Sequence, residues 1–84
     1  MNVTYILRCG DGRLYTGWTN DIDKRFKDHQ DGKGARFTKG RGPLSLEYVE
    51  TLPTKSDAMK REAAIKKLSK IKKEELILNY KMSL

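Results

Sequence analysis

The sequence predicts an α+β fold, a small three-stranded antiparallel sheet flanked by helices in the order β-β-α-β-α-α, with residues 1–84 forming one domain. Three observations lead there. Two short runs rich in β-branched, aromatic and aliphatic residues, Val3 to Cys9 and Leu14 to Trp18, are separated by a glycine-bearing turn. A third run, Leu44 to Thr51, alternates Leu44, Leu46 and Tyr48 against Ser45, Glu47 and Val49 after the Gly42-Pro43 break. Capping residues precede helical spacing at Thr19-Asn20-Asp21 and at Thr54-Lys55-Ser56-Asp57. A chain of 84 residues has room for one modest core and no second domain.

The first two strands form a hairpin whose register decides what its tyrosines can do. A two-residue turn at Asp11-Gly12 would pair Tyr5 with Trp18 and send Tyr5 and Tyr15 to opposite faces. A three-residue loop, Gly10-Asp11-Gly12, with Gly12 left-handed in a G1 bulge, pairs Tyr15 with Leu7 and points both phenols the same way. The three-residue loop is the expectation. A first helix then runs to about Gln30 and stops at Asp31-Gly32. Ile22 and Phe26 are to pack inward, which puts Arg25 and His29 on an adjoining stripe facing the hairpin. As ordinary surface groups, Arg25 would pair with Asp21 or Asp28, and His29 would be a helix-end histidine favoured by the C-terminal dipole.

The helix after Thr54 places Ala58, Glu62, Ile65 and Leu68 or Ser69 on one face, so a carboxylate sits within an apolar stripe, where it is costly without a partner. Two readings follow: an ion pair with Arg25 or a lysine, or a metal ligand at the edge of a cleft. A last helix from about Lys72 to Tyr80 presents Leu76, Ile77 and Tyr80 to the core. Tyr48, Tyr80 and Trp18 read as structural aromatics.

Charge points to a polyanion. Basic residues outnumber acidic ones 18 to 11, and from Lys60 to Lys73 Glu62 alone opposes seven cations. Lys33-Gly34-Ala35-Arg36-Phe37-Thr38-Lys39-Gly40-Arg41 mixes four cations with glycines, one aromatic, one hydroxyl and no acid, which suits close approach to phosphates. Lys33, Arg36, Lys39 and Arg41 are therefore the candidate nucleic-acid contacts. The single Cys9 excludes an internal disulfide and, with a single histidine, a zinc cluster. No apolar run is long enough to span a bilayer, and the first residues lack a signal peptide's apolar stretch, so a cytoplasmic protein is expected.

Two phenols, a guanidinium, an imidazole and a carboxylate, in the order Tyr5, Tyr15, Arg25, His29 and Glu62, supply a base, a phosphate clamp and a ligand for a hard cation. These residues in this order resemble the GIY-YIG nuclease superfamily, in particular its small single-domain bacterial members. Val3-Thr4-Tyr5 stands where the first signature has Gly-Ile-Tyr, and Tyr15-Thr16-Gly17 where the second has Tyr-Ile-Gly. Arg25 falls at the family's helix arginine, His29 at its histidine one turn later and Glu62 at its metal-binding glutamate. The run from Gly32 to Pro43 resembles the linker of the small members. The departures at Val3 and Thr4 remove no reacting group; Gly12 and Gly17 are structural.

The resemblance implies metal-dependent hydrolysis of nucleic-acid phosphodiesters, with Mg²⁺, or Mn²⁺ in its place, held by Glu62 and completed by the substrate phosphate. Arg25 would neutralise charge developing on that phosphate. Either Tyr5 or Tyr15 would be the base, aided by His29, because a tyrosine with a pKa of ~10 is mostly protonated at neutral pH. The expected activity is nicking of branched, flapped or damaged DNA, DNA ahead of RNA, by a monomer with weak sequence preference and, for targeting, a partner protein. The competing reading is a noncatalytic nucleic-acid-binding module that retains the scaffold; a protein-interaction adaptor ranks last.

Overall fold

The computed structural model describes residues 1–84. Its elements are β1 (Asn2–Arg8), β2 (Leu14–Thr19), α1 (Ile22–Gln30), β3 (Ser45–Leu52), α2 (Lys55–Lys66) and α3 (Lys70–Met82). The sheet is antiparallel in the order β2-β1-β3, so the first strand in the chain is central. This is the α+β architecture that the strand and cap patterns predict.

The hairpin closes through the three-residue loop. The Gly12 N–H donates to the Cys9 carbonyl at 2.9 Å, the Cys9 N–H donates to the Arg13 carbonyl at 2.8 Å, and Gly12 has φ +88°. A side chain at that φ is disfavoured, so glycine fixes the loop length. Leu7 then pairs with Tyr15 and Tyr5 with Gly17.

Alternation along β1 divides the sheet into two faces. Ile6 joins Tyr48, Ile65 and Ile77 in the apolar core beneath α2 and α3, with Leu14, Leu76 and Tyr80 packed against it. The Thr4 hydroxyl donates to the Ala58 carbonyl at 2.8 Å on the same side, tying β1 to α2. Tyr5 points the other way, toward α1 and the loop that follows it. Thr54 caps α2 by accepting from the Asp57 N–H, and Asp21 caps α1 by accepting from the Lys24 N–H.

Two expectations need correction. The strict alternation of the third strand fails at a bulge: Ile6 pairs with Tyr48 but Leu7 with Leu46, leaving Glu47 as the extra residue. Leu46 is consequently turned outward, while the Glu47 carboxylate turns inward to Arg8, Ser45 and Lys81. The last helix begins at Lys70, because Ser69 caps it by accepting from the Lys72 N–H. Arg8 braces that helix with two bonds to Glu74, at 2.7 and 2.6 Å.

Candidate active site

On the α1 side of the sheet, three side chains from β2 and α1 converge on one phenol of β1. The Tyr5 hydroxyl lies 2.8 Å from Nε2 of His29. The Tyr15 ring leans on both, with centroids 6.4 Å from Tyr5 and 5.2 Å from His29. The Arg25 guanidinium sits beside the Tyr5 phenol. Hairpin register brings the two tyrosines together, and the single turn between Arg25 and His29 adds the other two.

Gly17 makes room for this cluster. A Cβ there would come within 2.6 Å of the Tyr5 hydroxyl and 3.1 Å of the Tyr15 ring, so any side chain would displace both phenols. Tyr5 is 1 % exposed, and burial pushes its pKa up to about 12; Arg25 opposes that rise, while Tyr15 and Glu62 add to it. Burial is also the main cause that lowers the His29 pKa, reinforced by the Arg25 charge. His29 is therefore a neutral imidazole at pH 7, able to accept a proton.

His29 lies in the last turn of α1, but not as a surface cation: the side chain is 1 % exposed and is the buried residue of the helix. Ile22 and Phe26, expected to carry the inward face, are only half-buried. The reason lies in the loop after α1, which covers the helix end. Gly34 packs directly on the imidazole, where a Cβ would collide with Nδ1, and the Thr38 hydroxyl lies 2.8 Å from that nitrogen. Phe37 stacks on Tyr15 at 5.9 Å, and Arg41 lies over the Phe37 ring at 4.9 Å. Gly34, Phe37 and Thr38 are the site residues that sequence reasoning missed. Their only signal was an uncharged hydroxyl and an aromatic inside an otherwise cationic segment.

The four basic residues of that loop divide. Lys33, Arg36 and Lys39 stand exposed, whereas Arg41 is half-buried and pairs with Asp11 at 2.9 Å. The Gly10 N–H donates to the Arg41 carbonyl at 2.6 Å, so the loop is fastened to the hairpin turn. A cleft of about 320 Å³ opens on the loop side of His29 between Gln30, Thr38 and Pro43, and a smaller one of about 150 Å³ borders Arg25, Thr19 and Asp28.

Glu62 stands on α2, and its charge is the smallest of the influences that raise the Tyr5 pKa. Its carboxylate is largely covered and meets Lys66 one turn on at 3.7 Å. No three His, Cys, Asp or Glu side chains gather into a metal cage. A lone carboxylate whose lysine partner stands 3.7 Å away suits a hard cation that keeps most of its waters.

Comparison with known proteins places the chain in a family. The family described as the GIY-YIG catalytic domain matches residues 1–75. A UPF0213 protein of Clostridium perfringens is 52% identical over 77 residues, covering 92% of this chain and 83% of the relative. Another, from Halalkalibacterium halodurans, is 51% identical over 73 residues, 87% of this chain and 78% of the relative. The solution NMR structure of the UPF0213 protein BH0048 from Bacillus halodurans superimposes with a TM-score of 0.59 at 50% identity, over 92% of this chain and 83% of that one. The solution NMR structure of the protein EF2693 from E. faecalis gives 0.65 at 34% identity, over 96% and 86%. With two tyrosines, an arginine and a histidine converged on the α1 face of a β2-β1-β3 sheet, and with a match spanning most of its length, this chain belongs to the GIY-YIG family.

Proposed function

We propose that this protein is a divalent-cation-dependent endonuclease that hydrolyses phosphodiester bonds and nicks branched, flapped or damaged DNA, with weak sequence preference and DNA ahead of RNA. The observation that carries the reading is the convergence of Tyr15, Arg25 and His29 on the buried Tyr5 phenol, next to a loop of exposed cations. Residues 1–84 act as one domain, as a cytoplasmic monomer, cutting one strand at a time.

The roles follow from the chemistry of each group. Lys33, Arg36 and Lys39 hold phosphates of the backbone, giving affinity without sequence, and Arg41, paired with Asp11 in the free protein, joins them only when it leaves that partner. Arg25 neutralises charge building on the scissile phosphate, the interaction that commonly contributes most to such a reaction. Glu62 would hold the cation, Mg²⁺ or Mn²⁺, which when bound supplies a Lewis acid for a phosphate oxygen. Tyr5 is the phenol that removes the proton from the attacking water. Its bond to His29 supports this over Tyr15, since His29 gives the phenol's own proton a destination. Tyr15 then packs the cluster and borders the scissile group.

The test compares wild type with Glu62→Gln on supercoiled plasmid and on labelled branched and single-stranded DNA, with Mg²⁺, with Mn²⁺ and with chelator, recording binding in parallel. Cutting by wild type only with metal, and binding without cutting by Glu62→Gln, is the expected result. Salt-sensitive binding by both with cutting by neither overturns the nuclease reading and leaves a binding module.

A further inference from the structure

The loop between α1 and β3 touches the imidazole through one hydrogen-bonding side chain. Thr38 is 2 % exposed although its neighbours Phe37 and Lys39 are exposed. Its Oγ1 lies 2.8 Å from Nδ1 of His29 and 2.9 Å from the Ala35 carbonyl oxygen. A hydroxyl has one proton, and the two neighbours differ in what they can do with it. The carbonyl can only accept, whereas Nδ1 can accept or donate. If the proton pointed at Nδ1, two oxygens would face each other at 2.9 Å with nothing between them. The Thr38 hydroxyl therefore donates to Ala35 and accepts from Nδ1–H. The Ala35 N–H also approaches Nδ1, but at 3.4 Å it lies beyond the usual range for an N–H donor and is the weaker claim. Gly34, flush against the ring, leaves the imidazole no room to turn.

We propose that Thr38 is a positioning residue that holds His29 in the Nδ1-protonated tautomer and so leaves Nε2 bare as the acceptor for the Tyr5 hydroxyl. The mechanistic consequence rests on the nuclease reading. As water attacks phosphorus, its proton passes to the Tyr5 oxygen while the Tyr5 O–H breaks and an Nε2–H bond forms. Tyr5 ends as it began, His29 ends as imidazolium, and the departing 3′ oxygen takes its proton from solvent. Tyr5 never needs to exist as a free phenolate. With the other tautomer, Nε2–H would point at the Tyr5 oxygen and the relay would be blocked.

His29 is the only histidine in the chain, so a long-range ¹H–¹⁵N correlation spectrum reads its tautomer without ambiguity. In wild type near pH 7.5 the expected pattern has Nδ1 protonated and Nε2 bare. Thr38→Val should move the proton to Nε2, and Thr38→Ser should restore the wild-type pattern. On branched DNA, kcat should fall at least about tenfold in Thr38→Val, with DNA affinity unchanged, and recover in Thr38→Ser. A wild-type spectrum with the proton on Nε2 overturns the proposal, as does a folded Thr38→Val that keeps it on Nδ1. The wild-type spectrum decides even if Thr38→Val does not fold. Should wild type cut no substrate, the nuclease reading fails while the tautomer assignment is still decided by the spectrum.

Discussion

Beneath α2 and α3 the sheet presents Ile6 and Tyr48 to Ile65 and Ile77, an apolar contact in which two of the four side chains are fully buried. Toward α1 and its loop it presents Tyr5, against which lie an imidazole, a second phenol and a guanidinium, packed through glycines at 17 and 34. Both faces exclude water, but by different means. The α2–α3 face gains stability from area removed from water. The α1 face buries polar groups that are stable only while each keeps its partner. A substitution in the first should therefore appear in the unfolding equilibrium, whereas loss of a partly exposed member of the second, such as Arg25, should appear mainly in what the folded protein does.

The largest effect expected is on the apolar face. Ile65→Ala should lower stability by about 2–5 kcal/mol, because Ile65 is fully buried and the site cannot collapse fully around the void. In a domain of this size each kcal/mol moves Tm by roughly 4–8 °C. Urea and thermal unfolding measure this, and the fraction still folded should cleave DNA at near wild-type rate. Arg25→Ala is the counterpart on the other face. Loss of a charge-stabilising donor lowers turnover by roughly 10²–10³-fold, with little change in Tm. A Tm loss for Arg25→Ala as large as that for Ile65→Ala would dissolve the distinction between the faces.

A smaller effect sharpens it at the edge of the apolar face. Glu47 and Glu74 both have carboxyl pKa values below the ordinary range, Glu47 chiefly through Lys81 and Glu74 chiefly through Arg8. A depressed folded pKa adds stability that is present above the unfolded value of ~4.3 and is lost as pH falls through the folded one. Stability should thus decline from about pH 5 downward, as the brace between β1, β3 and α3 is protonated. Arg8→Met removes partners of both carboxylates; about 1–2 kcal/mol of stability should go, and the acid dependence should flatten. Denaturant melts at pH 7 and pH 4 give both quantities. An unchanged slope against pH would mean that Arg8 adds nothing to the hold that Ile77, Leu76, Tyr80 and the Lys81–Glu47 pair already have on α3.

The difference between the faces also explains what could be read from the chain. The hairpin register follows from Gly12, and the first two helix starts from Asp21 and Thr54, because these are local devices acting within a few residues. Tyr5, Tyr15, Arg25 and His29 could be grouped from strand parity and helix spacing alone. The bulge at Glu47 could not, since it depends on how β3 meets β1 across some forty residues of chain. Burial of His29 was equally hidden: Ile22 and Phe26 give α1 an apparent inward face, but the covering comes from Gly34 and Thr38, brought over by loop closure. The cationic character of residues 33–41 suggested phosphate contact for the whole segment. Thr38 in fact turns inward to the imidazole and Phe37, itself exposed, lies against Tyr15, while Lys33, Arg36 and Lys39 face out.

That split within one loop sets up the smallest effect, a matched pair of substitutions read by salt dependence. Lys39→Ala removes an exposed cation, so the slope of log affinity against log salt should become shallower by about 0.9, the contribution of one neutralised phosphate. Asp11→Asn should act in the opposite sense. Asp11 holds Arg41 on the hairpin turn, and releasing that guanidinium lets it reach a phosphate, steepening the slope by a similar amount. Neither change should move Tm measurably, since both groups are exposed. Titrations of branched DNA between 50 and 200 mM salt supply the slopes. If Asp11→Asn leaves the slope unchanged, Arg41 is kept in place by Phe37 and the Gly10 backbone, and belongs with the packed interior of the loop instead of its nucleic-acid face.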